Sequence, residues 1–167
     1  MSLHRPPPRL FALIIGINEY ESPNIHNLLG AVPDADAMRY YLQKYMDVPS
    51  SQITNLRDGE ATRAAIIDKI KAFSLEDKII KGDPILIYYA GHGGSANIQK
   101  GRKDGSTGKI ELLIPYDYPS PLEGGDPRDG IPDRYFGALL SRLAEEKGDN
   151  IVRQTFILCR FIYQLTT

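Results

Sequence analysis

Two stretches of this chain are apolar at every position, with no polar alternation. One is Leu10-Phe-Ala-Leu-Ile-Ile-Gly-Ile17 and the other is Ile85-Leu-Ile-Tyr-Tyr89. Unbroken runs of strand length fit strands buried on both faces, as in a parallel sheet. Elsewhere the apolar positions recur at helical spacing. Ala35, Met38, Leu42 and Tyr45 share a face and predict a helix over 33–46. Pro33, Asp34 and Asp36 suit its first turn, where proline is tolerated and carboxylates complement the dipole. Ile66, Ile70 and Phe73 predict a second helix over 62–73, capped by Thr62. Phe136, Leu139, Leu140 and Leu143 predict a third over 132–147, opened by Pro132-Asp133 and stopped by Gly148. Residues 52–56, 111–115 and 151–158 read as further strands. Strands alternating with amphipathic helices imply an α/β fold: a mostly parallel sheet with helices on both faces, and 10–16 and 84–89 as adjacent central strands.

The second apolar run is opened by Asp83-Pro84 and leads into Gly91-His92-Gly93-Gly94, where the glycines predict a sharp turn and close approach by another molecule. His92 is thereby expected at the carboxyl end of a core strand, the edge at which open α/β sheets bind ligands. Cys159 follows the last strand candidate. In a parallel sheet both would lie at one edge, and neighbouring strands are about 4.8 Å apart. A thiol beside an imidazole can become a thiolate nucleophile, with the histidine as base and then as acid to the leaving amine. The alternative readings are a loop histidine between turn glycines and a cysteine serving as a small buried hydrophobe.

Composition narrows the classes. The 167 residues suit one domain, 42% hydrophobic and 25% charged. With 20 basic and 21 acidic side chains the net charge is −1, which implies neither nucleic acid nor an anionic membrane as partner. The run at Leu10 is too short to span a bilayer and lacks a signal-peptide cleavage site. A single cysteine permits no internal disulfide, and with three scattered histidines makes no zinc pattern. Cytosol or nucleus is the default compartment. Met1 to Arg9, with three consecutive prolines, reads as an extended lead-in, and Ser95 to Gly108 as a glycine-rich basic surface loop. Neither a Gly-x-Ser-x-Gly nucleophile elbow nor a complete P-loop is present; Gly105-Ser-Thr-Gly-Lys109 is followed by Ile110.

Several stretches together resemble the caspase-like domain of metacaspases, especially fungal ones, in peptidase family C14. They are Phe11 to Tyr20, Leu29-Gly-Ala-Val-Pro-Asp-Ala-Asp-Ala37, Leu56-Arg-Asp58 with Ala61-Thr-Arg63, Gly82 to Gly93, Leu113-Ile-Pro-Tyr-Asp117, Gly130-Ile-Pro-Asp133 and Lys147-Gly-Asp-Asn-Ile151. The resemblance covers residues 10–151 in the family's order. It implies a cysteine endopeptidase acting on protein or peptide substrates after Arg or Lys, with a role in programmed cell death. His92 would be the catalytic histidine, and Gly93 the residue whose backbone N–H helps hold the oxyanion. Leu28 stands near the place where animal caspases carry a substrate-reading Arg, which is consistent with a basic preference. Calcium is the cofactor the resemblance raises. Asp104, Glu111, Asp117, Asp126 and Asp129 lie in the corresponding region, although solvated loop carboxylates are the simpler reading and no metal ligand is assigned.

The departure falls at the nucleophile. The family continues from Gly-Asp-Asn-Ile to Asp-x-Cys-His-Ser-Gly, whereas this chain reads Val152 to Leu158, then Cys159-Arg160-Phe161-Ile162-Tyr163. Cys159 falls where the family has Asp, or on the nucleophile if one residue is gapped. The His-Ser-Gly that follows is absent in either alignment. The expected organisation is therefore a lead-in over 1–9, a caspase-like domain over 10–151, and a divergent, truncated or altered end over 152–167. Two functions compete: a metacaspase-type endopeptidase inactive in this form, and a catalytically dead caspase-like interaction module or fragment.

Overall fold

The computed structural model describes residues 8–97, 109–124, 126 and 129–163. The two continuous apolar runs become adjacent parallel strands at the centre of one sheet: β1 (Phe11–Gly16) and β3 (Ile85–Asn97), with Phe11 opposite Ile85 and Gly16 opposite Ala90. β2 (Ile53–Arg57) lies parallel on the other side of β1. β6 (Ile151–Tyr163) lies parallel along β3, from Ile85 opposite Ile151 to Ala96 opposite Tyr163. Because β6 occupies one edge of β3 over that whole length, β1 and a later strand share the other edge. β1 takes it as far as Ala90, and β4 (Lys109–Leu113) takes it antiparallel from Gly93 to Asn97. A two-residue strand, β5 (Ile131–Pro132), pairs antiparallel with β4. The sheet is thus mixed: a four-strand parallel body, in line with the mostly parallel sheet expected from sequence, extended by an antiparallel arm.

Both faces are covered, which is why β1 and β3 show no alternation in sequence. Leu13, Ile15, Ile87 and Tyr89 pack with α2 (Arg63–Leu75) and α3 (Asp133–Lys147), through Ile66, Ile70, Phe73, Phe136, Leu139 and Leu143. Ala12, Ile14, Tyr88 and Ala90 face α1 (Ala31–Tyr45), through Ala31, Ala35 and Leu42. Each isoleucine or leucine so enclosed contributes about 1.5–3 kcal/mol relative to exposure. The α1 side is built from small residues, and the helix comes close. A Cβ on Gly16 would lie 2.6 Å from that of Ala35 and 2.9 Å from the Ala31 carbonyl.

Helix ends follow the sequence in two cases and depart in one. Thr62 caps α2 by accepting from the Ala65 N–H at 3.2 Å. Gly148 ends α3 with φ 91°, a conformation that costs glycine little. α1 starts at Ala31, two residues before Pro33, because its cap comes from a distance: Asn18 Oδ1 accepts from the Val32 N–H at 3.1 Å.

Three further expectations are corrected. Gly91-His92-Gly93-Gly94 does not turn; β3 runs on through it to Asn97, because β6 on one side and β4 on the other supply ladder partners. Of the supposed loop starting at Ser95, residues 95–97 are strand and 98–108 lie outside the described residues. The last strand does not stop at Leu158 but continues to Tyr163.

The amino ends of β3 and β6 are clasped together. Gly82 N–H donates to the Lys147 carbonyl at 2.6 Å and Asn150 Nδ2 to the Gly82 carbonyl at 3.2 Å. The Lys147 ammonium donates to the carbonyls of Glu76 and Ile79, both at 2.9 Å. Asp83, 7% exposed, receives Arg9 through both oxygens at 2.8 and 2.7 Å and the Ile80 N–H at 2.9 Å. The Arg9 hydrogen bonds hold its carboxyl below the usual range, against burial, with the Ile80 N–H and the Arg9 and Lys147 charges adding to the effect.

Two outcomes follow from this packing. Gly16→Ala should lower stability by about 1–3 kcal/mol through overpacking against α1, read as a lower urea midpoint with an unchanged slope. Asp83 binds its proton less readily folded than unfolded. Its contribution is therefore complete above the ordinary carboxyl value of about 4 and is lost as pH falls through the lower folded value. Asp83→Asn should cost about 1–3 kcal/mol at neutral pH and flatten the acid limb of a stability–pH curve.

Candidate active site

The site lies where β3 passes the end of β1. There the chain beyond β1, from Ile17 to Gly30, loops over His92. That loop is fastened at several points. The Asn18 and Glu19 N–H groups both donate to Asp58 Oδ1, at 2.7 and 3.0 Å, and the Leu28 N–H donates to the Asn18 carbonyl at 2.7 Å. Asp58 itself has φ 40°, a left-handed conformation rare for a residue with a side chain. Arg57, beside it, donates to the Ile14 and Leu56 carbonyls at 2.8 and 3.0 Å and to Asp36 Oδ1 at 3.1 Å, binding β1, β2 and α1 together. Leu28, placed in sequence at a specificity position, packs against the α1-side core.

His92 is 1% exposed. Its Nε2 lies 2.6 Å from the His26 carbonyl. A carbonyl only accepts, so Nε2 carries the proton, and in the neutral imidazole Nδ1 is the basic nitrogen. The ring of Tyr20 lies against the imidazole with centroids 4.9 Å apart. The His92 backbone is held as well: its N–H donates to the Tyr20 hydroxyl at 2.8 Å, and its carbonyl accepts from the Tyr89 hydroxyl at 2.8 Å and from the Ile114 N–H at 3.1 Å. Burial pushes the Tyr89 phenol well above its ordinary range, with Tyr20 adding to the shift, so this hydroxyl stays protonated. The Tyr20, Tyr89 and His26 contributions were not singled out from sequence. Tyr20 and Tyr89 were quoted only as parts of longer motifs, and a backbone carbonyl leaves no residue-type signal.

Along β6 the register places Cys159 directly opposite His92. The pairing reaches this point through an irregularity: Gly91 is opposite Ile157 and His92 opposite Cys159, so Leu158 is the extra residue of a bulge. The structure describes the backbone of Cys159 and not its side chain. β6 then continues, with Arg160 opposite Gly93 and Phe161 opposite Gly94. Gly93 is also opposite Leu113 of β4, so a strand lies in register along each of its edges.

Two of the carboxylates considered for calcium are engaged with the backbone. Asp117 Oδ1 accepts from the Arg63 N–H at 2.7 Å, at the start of α2, and Asp129 Oδ2 from the Asp126 N–H at 2.9 Å. Among the described residues no three His, Cys, Asp or Glu side chains gather as metal ligands; Asp104 lies outside those residues. Asp117 and Asp129 thus serve as acceptors for backbone N–H groups. Among the described residues no helix is long and apolar enough to cross a membrane.

Comparison with known proteins bears on the whole chain. The family model for the caspase domain of Peptidase C14 matches residues 9–152. Comparison with curated proteins gives no match. Among solved structures, the crystal structure of a Geobacter sulfurreducens protein, a structural genomics target, has a TM-score of 0.63 at 22% identity, over 89% of this chain and 49% of that one. That likeness is one of fold, and this chain spans about half the length of that protein.

Because the His26 contact is made by the main chain, exchanging its exposed side chain should not disturb it. His26→Ala should leave the His92 imidazole in its Nε2–H tautomer, as read from its ¹⁵N chemical shifts; conversion to the Nδ1–H form would show that the carbonyl does not fix the ring.

Proposed function

The chain belongs to the caspase-domain family of cysteine peptidases, and from that premise we propose that it carries the histidine half of an endopeptidase centre for cleavage after Arg or Lys, without turning over in this form. The family's chemistry requires a thiolate that attacks the scissile carbonyl carbon. A base takes the thiol proton and returns it to the departing amine, and N–H donors face the developing oxyanion. His92 suits the base: the His26 carbonyl holds the Nε2 proton, leaving Nδ1 to accept and return one. Cys159 is the candidate nucleophile, at the register position beside it. Gly93 is the candidate oxyanion donor. The preference for a basic residue rests on the metacaspase resemblance, with apolar Leu28 in place of an Arg.

The observation that carries the inactive reading is the continuation of β6 past Cys159. A nucleophile at a sheet edge needs its strand to end, so that its own N–H and the neighbouring glycine N–H point at substrate. Here Arg160 to Tyr163 stay in register with Gly93 to Ala96, and the imidazole is 1% exposed. The residue after the candidate nucleophile is Arg160, a like charge for an Arg or Lys substrate, and the family's acidic partner for such a side chain has no counterpart in Val152 to Tyr163. Loss of one oxyanion donor alone costs about 10²–10³ in rate.

The expected outcome is no measurable cleavage of Arg- or Lys-containing peptides by the purified chain, with or without added calcium. Cleavage abolished by both His92→Ala and Cys159→Ala would overturn this and establish a working dyad.

A further inference from the structure

Two buried tyrosines hold the main chain of His92, one at its N–H and one at its carbonyl. The Tyr89 hydroxyl lies 2.8 Å from both the His92 and the Ile114 carbonyls. Carbonyls only accept, so the single Tyr89 proton is committed to them. The His92 N–H donates to the Tyr20 oxygen at 2.8 Å. The two tyrosines therefore hold both polar groups of the His92 backbone, the N–H at the Tyr20 oxygen and the carbonyl at the Tyr89 hydroxyl.

The geometry points to Tyr20 and Tyr89 as positioning residues that fix the orientation and tautomer of the His92 imidazole by clamping both polar groups of its backbone. Three observations support this. Tyr89 reaches the carbonyl three residues ahead only because Gly91 is bare: a Cβ there would fall 2.7 Å from the Tyr89 oxygen and 3.2 Å from that of Tyr20. Tyr20 also stacks on the imidazole, so one side chain touches both the ring and the backbone of His92. Finally, Tyr20 precedes His26 on the same loop, and the neighbouring Glu21 N–H is tied to the Tyr116 carbonyl at 3.0 Å. The hydroxyl thus sets the separation between the loop carbonyl and the strand that bears the ring. Turning the imidazole away from His26 would require loosening this clamp.

This rests on His92 being the base of the family's centre, but its test reads no cleavage and so fails or succeeds independently of that reading. The full chain, labelled with ¹⁵N, is compared with Tyr20→Phe and Tyr89→Phe. Phenylalanine keeps the ring and removes the hydroxyl. In the parent chain the His92 imidazole should be the Nε2–H tautomer. In each folded variant the ratio of Nε2–H to Nδ1–H forms should fall roughly tenfold, the value of one hydrogen bond, and His92 amide exchange should rise by a similar factor. A purely structural role would lower stability and leave the tautomer ratio unchanged; that result in a folded variant overturns the inference. If neither variant folds, the parent chain decides. A slowly exchanging His92 amide with a cross-peak to the Tyr20 ring protons supports the clamp, and its absence overturns it.

Discussion

The site depends on how β6 is laid against β3, and that is decided at the far end of the two strands. Gly82 and Gly148, with φ 96° and 91°, make two left-handed turns that meet. A Cβ on Gly148 would fall 3.0 Å from the Gly82 nitrogen. The Gly82 N–H to Lys147 carbonyl bond, the Asn150 amide and the Ile85 N–H to Asn150 carbonyl bond at 2.9 Å then leave one register at the start of the pair. From there the ladder delivers each later residue to its partner. A slip of one residue would exchange the two faces of β6 and carry Cys159 away from His92. The bulge at Leu158 has the same leverage, because it alone converts an offset of one into direct opposition.

Much of what marks the family in this chain is bracing around that ladder. Asp58 holds the loop that brings His26 over His92, and Arg57 beside it ties β1 to α1. Arg63 and Asp117 tie the start of α2 to the stretch beyond β4, and the Arg63 guanidinium donates to the Gly130 carbonyl at 3.1 Å beside β5. In sequence Asp117 is a candidate for calcium, and Arg57, Asp58 and Arg63 stand only within the stretches that carry the resemblance. Each instead satisfies backbone groups that would otherwise be left unpaired near buried elements. The chain has the scaffold of the caspase-domain family.

The elements were largely legible because their signals are local. Continuous apolar runs gave β1 and the first half of β3, and periodicity with Thr62 and Gly148 gave α2 and α3. What sequence obscured is non-local. The glycine run after Ala90 has the composition of a turn, and only partners on both edges make it strand. Asn18 caps α1 from thirteen residues before Ala31, so the helix begins earlier than Pro33 suggests. His92 was legible from motif and strand position together. The carbonyl that orients it, the two tyrosines that clamp it, and the continuation of β6 past Cys159 all depend on which segments meet in space.

The claim on which the functional reading turns is the opposition of His92 and Cys159 within a β6 that does not stop there. Inter-strand nuclear Overhauser effects between backbone protons test it directly. The account predicts contacts joining His92 with Cys159 and Gly93 with Arg160, with Leu158 left out of the ladder. Contacts joining His92 with Leu158, or a ladder that ends before Arg160, would contradict it.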